Sequence, residues 1–259
     1  MNEFERARRE TVRYHEELYS SAGLGQAGTW LARPHSLLLD ALAHVPSGRP
    51  VIAYDLGAGI GRHTIPMMQQ LPVGSEVYAV DLLASALHSL RCSVPPGLGT
   101  VLHTRPADLD DFQFETPADL VLAFSAIEHL PALEAIRGLL GRVCAAVRPG
   151  GVVAIGIVAD RIEIDSKGNR RPALIESAIS SAAATELLSS AFGAFDVIYQ
   201  KARPADVSED RQGERYTLAS TLLTWLATHP ASPGQERSLH DARSARVTAR
   251  HPPGHGVGA

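Results

Sequence analysis

The chain is poor in cysteine, in lysine and in long apolar runs. Its two cysteines, Cys92 and Cys144, cannot build a disulfide framework or a four-cysteine zinc site. The histidines show no metal-ligand spacing, and no metal is expected. Of 24 basic residues only Lys167 and Lys201 are lysines, against 28 acidic residues, a net charge of −4. That balance excludes nucleic-acid binding by bulk positive charge. The start, MNEFERARRE, has no apolar stretch of the kind a signal peptide carries. The longest apolar run, 150–159, is half a membrane span and is closed by Asp160. No membrane association is expected, and a cytoplasmic location is. With 45% hydrophobic and 20% charged residues the chain is not wholly disordered, and its 259 residues predict one domain, with two as the alternative.

Three regions separate by pattern. Phe4, Ala7, Thr11, Tyr14 and Leu18 recur at helical spacing opposite Arg6, Arg9, Arg13 and Glu16, and residues 1–48 read as a helical N-terminal cap. From 49 to 229 strands alternate with helices. Short apolar runs at 51–55, 76–81, 101–104, 118–124 and 152–158 are separated by helical stretches ending near Gln70, Cys92 and Val147. This predicts an α/β sandwich with a mainly parallel sheet. Residues 159–175 read as an inserted β-hairpin turning at 166–169, with Ile162 and Ile164 inward and Glu163, Asp165, Arg170 and Arg171 free to face a ligand. Helix is expected over 176–190, and the last two strands over 195–201 and 216–225. The Pro-, Gly-, Ser- and Arg-rich tail, 230–259, is expected to be disordered.

The sharpest chemical signal is Asp55-Leu56-Gly57-Ala58-Gly59-Ile60-Gly61, between a strand and a helix. Glycines there let the chain turn tightly and let a ligand approach the backbone. Asp81 ends the next strand, where a carboxylate accepts hydrogen bonds from the vicinal hydroxyls of a ribose. Together they point to a nucleoside-bearing cofactor at the carboxyl edge of a parallel sheet. The spacing is Gly-x-Gly-x-Gly, not the Gly-x-Gly-x-x-Gly of a dinucleotide site.

These motifs, with Pro106-Ala107-Asp108-Leu109, Asp119–Leu130 and Val147-Arg148-Pro149-Gly150-Gly151, resemble the class I, Rossmann-like S-adenosylmethionine-dependent methyltransferases, of the small stand-alone bacterial type. The resemblance implies a seven-stranded sheet with an antiparallel last strand and S-adenosylmethionine as cofactor. By resemblance, Asp55 lies near the cofactor's ammonium group and the Gly57, Ala58, Gly59 and Gly61 backbone wraps its amino-acid part. Asp81 binds the ribose, Leu82 packs on the adenine, and Asp108, followed by Leu109, receives the adenine amino group. Phe124 and Ser125, at the end of the fourth strand, are also expected at the cofactor, and no Asn-Pro-Pro-Tyr-type tetrapeptide occurs there. His129, in the Glu128-His129 pair, is the candidate catalytic residue. The pre-domain segment resembles that of the tellurite-resistance type, which implies cofactor contacts for Tyr14, Tyr19, Trp30 and Arg33. The expected acceptor is a small molecule. Two rival readings are a nicotinamide-nucleotide-dependent oxidoreductase, which the missing Tyr-x-x-x-Lys pair disfavours, and a non-catalytic cofactor-binding regulator, which turnover would exclude.

Overall fold

A computed structural model describes residues 2–211 and 214–231. The tail expected to be disordered lies, from residue 232 onward, outside the described residues. The chain opens with α1 (Glu3–Ser21), started by a capping box in which Asn2 and Glu5 exchange side-chain and backbone hydrogen bonds. A short 3₁₀ turn, Trp30–Ala32, leads to α2 (Ser36–Leu42). Strands and helices then alternate: β1 (Ile52–Leu56), α3 (Thr64–Gln70), β2 (Glu76–Asp81), α4 (Ala84–Ser93), β3 (Val101–Pro106), β4 (Ala118–Phe124) and α5 (Leu133–Ala146). After them come β5 (Val147–Asp165), β6 (Arg170–Pro172), α6 (Ser181–Ala191), β7 (Asp196–Pro204), β8 (Val207–Arg211) and β9 (Glu214–Thr228).

The main path of the sheet runs β3-β2-β1-β4-β5-β9-β7. The five strands from β3 to β5 pair in parallel, and β9 is antiparallel to both β5 and β7. This is the expected seven-position sheet with an antiparallel last strand. The count rises to nine because β5 and β9 run far past the sheet edge, 19 and 15 residues long, and carry β6 and β8 beside their extensions. Sequence periodicity missed β8 because its alternation has no apolar face.

Both sheet faces are covered, as the unalternating apolar strands required. Along β4, Val121 and Ala123 join the core beneath α5 and α6, and Leu120 and Leu122 join the core beneath α2 and α3. Leu37, Leu38 and Ala41 of α2 are fully buried, so α2 is part of a packed layer, whereas α1 buries only Ala7. The order of strands reverses at β1, which lies between β2 and β4. Ligands of such sheets bind at this switch point, outside the carboxyl ends of the strands. The helix expected from residue 176 begins only at Ser181, since Glu176 is drawn to His129 and the Ser180 hydroxyl caps the first turn.

Candidate active site at the carboxyl edge of the sheet

The glycine loop after β1 sets the geometry. Gly57 has φ +77°, and a Cβ there would collide with the Cβ of Ala126 on the β4 loop. Gly59 has φ +52°, and its Cβ would stand 2.6 Å from the Tyr19 hydroxyl of α1. The loop thus passes between two elements that leave no room for a side chain. Behind it Asp55 is buried, with one carboxylate oxygen accepting from the Thr64 hydroxyl at 2.6 Å and the other, Oδ1, without a partner. Burial pushes the Asp55 carboxyl up to about 7. Asp81, at the end of β2, accepts from the Gly59 amide at 2.7 Å and the Leu83 amide at 2.8 Å. Burial raises its pKa against the pull of those two amides.

Two chambers open beside this loop. The smaller, about 110 Å³, is walled by Asp81, Leu82, Ala107, Asp108 and Leu109 on one side and by α1 on the other. The larger, about 350 Å³, reaches from the glycine loop to the extended β5–β9 hairpin. Thr11, His15, Tyr19, Gly57, Ser125 and His129 line both. The chambers therefore meet where α1 crosses the loop after β4. Ser125 makes that loop turn sharply, with φ +52°; its amide donates to the Gly156 carbonyl and its hydroxyl to Glu128 Oε1.

Of the residues singled out by sequence, Asp81, Leu82, Asp108, Leu109, Gly57, Ser125 and His129 line the smaller chamber. Tyr14, Tyr19, Trp30, Ala58, Gly59 and Phe124 line the larger. Three stand apart. Asp55 lies behind the loop, Gly61 packs on Leu90, and Arg33 is exposed and lines neither chamber. The Arg33 backbone carbonyl instead accepts from Arg62 Nε at 2.7 Å, and the Arg62 guanidinium lies over the Trp30 and Phe124 rings at 5.5 and 5.6 Å. The cation in the larger chamber near Trp30 is thus Arg62. His63 is buried, accepts from the His35 amide and packs on Phe124.

Sequence reasoning missed a cluster carried by α1 and the segment before α6. Arg8 donates to Asp108. His129 Nδ1 meets Glu176 Oε2 at 3.1 Å. Burial opposes ionisation of Glu176, yet the hydrogen bond and charge of His129 bring its pKa down to about 2. His15 donates from Nδ1 to the Thr11 carbonyl and stacks edge-on to His129 at 6.2 Å. Burial, then the neighbouring His129, lowers the His15 pKa to about 4, so its ring is neutral at pH 7. The helical stripe holding Thr11 was the one available signal, since His15 lies four residues on.

The hairpin differs in detail from its reading. Glu163 is buried and lines the larger chamber, neutralised by Arg171 at 2.8 Å, and Ile162 and Ile164 are only half-buried. Asp165 closes the turn on Asn169, and Arg170 is exposed.

A family described as methyltransferase domains matches residues 53–151. A trans-aconitate 2-methyltransferase of Azoarcus sp. (strain BH72) is 26% identical over 211 residues, covering 81% of this chain and 80% of that protein. One from Methylobacterium radiotolerans is 24% identical over 229 residues, 83% and 84% of the two chains. The structure of the N-methyltransferase NodS from Bradyrhizobium japonicum WM9, in complex with S-adenosyl-L-homocysteine, superposes with a TM-score of 0.53 at 14% identity, covering 85% of this chain and 98% of that one.

Proposed function

We propose that this chain, a class I S-adenosylmethionine-dependent methyltransferase, moves the methyl group to a small molecule held in the larger chamber. One observation carries the reading: the two chambers meet at a short boundary lined by His15, Gly57, Ser125 and His129. In-line displacement needs donor and nucleophile on either side of one narrow junction, shielded from water. The acceptor names of the two curated relatives, small acids, support a small-molecule acceptor here.

The residues present fit the cofactor. The bare backbone at Gly57 and Gly59 suits close approach of the cofactor's amino-acid part, and Asp55, with an unpartnered buried oxygen, lies directly behind that loop. Asp81 keeps free lone pairs for two ribose hydroxyls, and Leu82 and Leu109 offer apolar surface for adenine. When bound, S-adenosylmethionine supplies a methyl group already activated by its sulfonium. The protein's part is alignment and exclusion of water, with α1 as the cover.

His129, oriented by Glu176, is the group that receives a proton when the nucleophile is a hydroxyl or an amine. A carboxylate nucleophile arrives ionised, and His129 then only positions it. Transfer of labelled methyl groups from S-adenosylmethionine to small-molecule fractions tests the activity. With an acceptor in hand, His129→Asn separates the two roles: loss of about a hundred-fold or more in kcat marks a proton acceptor, and a near-unchanged kcat with raised KM marks positioning. Binding of S-adenosylmethionine without transfer to any acceptor would return the chain to a cofactor-binding regulator.

A further inference from the structure

We infer that Arg161 reads a carboxylate of the acceptor, a group distinct from any contact with the cofactor. The proposal deepens the methyl-transfer reading and rests on it for the word acceptor. Its basis is a bulge in β5. Pairing with β9 joins Ala159 to Thr221 and Ile162 to Ala219, so β5 carries one residue more than its partner between those pairs. Asp160 takes the strain, with φ +53°. It is pinned from both ends: its amide donates to the Ile179 carbonyl, and its carboxylate accepts from the Ser181 amide at 3.0 Å. Bulges of this kind re-aim a side chain. Here the re-aimed side chain is Arg161, which lines the larger chamber.

The Arg161 guanidinium is held but not neutralised. Nη2 donates to the backbone carbonyls of Glu128 and Ser177, at 3.3 and 3.4 Å. Nε is buried and has no partner. Among the described residues, no carboxylate lies within ion-pair distance of Arg161, Arg62 or Arg203, all three of which line this chamber. The chamber's Glu163 and Arg13 are by contrast engaged, with Arg171 and with Glu10 and Glu17. A half-buried guanidinium on the wall of a cavity that two further arginines without carboxylate ion pairs also line is complementary to an anion. The planar fork of arginine matches the two oxygens of a carboxylate. The cofactor has a carboxylate too, but Arg62 stands directly after the glycine loop. Arg161 stands on the hairpin wall with Leu174 and Tyr216, and lines only the larger chamber.

The test uses protein saturated with S-adenosylhomocysteine, titrated calorimetrically with propane-1,2,3-tricarboxylate and with its neutral triamide. Wild type should bind the acid at least ten-fold more tightly than the amide. Arg161→Gln should lose about ten- to a hundred-fold for the acid, with melting temperature and S-adenosylhomocysteine affinity unchanged. Arg161→Lys, which keeps charge but not the fork, should fall between. Equal binding of acid and amide, no binding of the acid, or an unaltered Arg161→Gln overturns the proposal. An equal loss for S-adenosylhomocysteine assigns Arg161 to the cofactor and also overturns it. Acid binding without methyl transfer would leave the subsite standing and remove the methyltransferase reading. Transfer to a neutral acceptor untouched by Arg161→Gln would do the reverse.

Discussion

Arg8 of α1 donates to the Asp108 carboxylate just beyond β3, fastening the N-terminal helix across the mouth of the smaller chamber. Asp108 is the acid expected to meet the adenine amino group, so latch and ligand share one carboxylate. Its other oxygen accepts from the Asp110 amide at 3.1 Å. On that assignment, cofactor entry would compete with this ion pair of α1, whose one fully buried residue is Ala7.

Arg8→Gln should accordingly speed both association and dissociation of S-adenosylmethionine in stopped-flow fluorescence, by several-fold each. The pair is partly exposed, at 21% and 36% for the two side chains, so its contribution to global stability should be below about 1 kcal/mol. Unchanged rates would show that α1 does not gate the chamber.

Asp81→Ala should weaken cofactor binding about ten- to a hundred-fold, the value of losing hydrogen bonds to a charged acceptor. Asp81 also ties the Gly59 amide to β2. Asp81→Asn keeps one oxygen for that amide and should cost less. Equal dissociation constants for wild type and Asp81→Ala, read by calorimetry, would remove the ribose assignment.

Those two sites differ in how far the sequence revealed them. Asp81 and the glycine loop were legible because strand end, loop and helix are contiguous, and their chemistry depends on local backbone. Parallel strands buried on both faces were legible for a similar reason, as unbroken apolar runs such as 118–124. Arg8, His15, Glu176 and Arg161 were not. Each acquires its role from a partner far along the chain: Arg8 from Asp108, Glu176 from His129, Arg161 from a register shift between β5 and β9. In sequence, Arg161 is merely the first basic residue after an apolar strand. Glu163 shows the converse: alternation left it free to face a ligand, and it does line the larger chamber, but its burial and its pairing with Arg171 depend on β6 and β9.

Stability should fall with acid through His15. Burial and then His129 hold it near 4 in the fold, against about 6.5 in the unfolded chain. A depressed histidine is neutral in the fold and protonated when unfolded between those values. Its contribution is thus complete above about pH 6.5 and is lost as pH falls toward 4, up to about 3 kcal/mol in all. His63, held near 3 by burial and then Arg62, acts with the same sign, and Asp55, raised to about 7, acts with the opposite sign. The difference between wild type and His15→Gln isolates the first of these. Urea midpoints at pH 7.5 and 5 should fall further for wild type than for His15→Gln, and parallel changes would contradict a neutral buried ring.

Arg170 and Arg171 are adjacent in sequence and should behave in opposite ways. Arg171 Nε bonds Glu163 Oε2 at 2.8 Å and reaches Glu214 at 3.5 Å, joining β6 to β5 and β9. The Glu163 side chain is only 3% exposed. Removing the arginine takes an ion-pair partner from this carboxylate, which also accepts from the Leu174 amide at 3.3 Å. Arg171→Ala should lower Tm by several degrees and raise the acceptor's KM, because Glu163 lines the larger chamber and its negative charge, no longer paired with Arg171, would disfavour an acid there. Arg170 is exposed and lines neither chamber, so Arg170→Ala should leave Tm, cofactor affinity and acceptor KM within error of wild type. Glu163→Gln in the Arg171→Ala background discriminates packing from charge. Recovery of both Tm and KM would trace the defect to the charge of Glu163. Recovery of neither would mean that Arg171 acts by holding the β5, β6 and β9 strands in register.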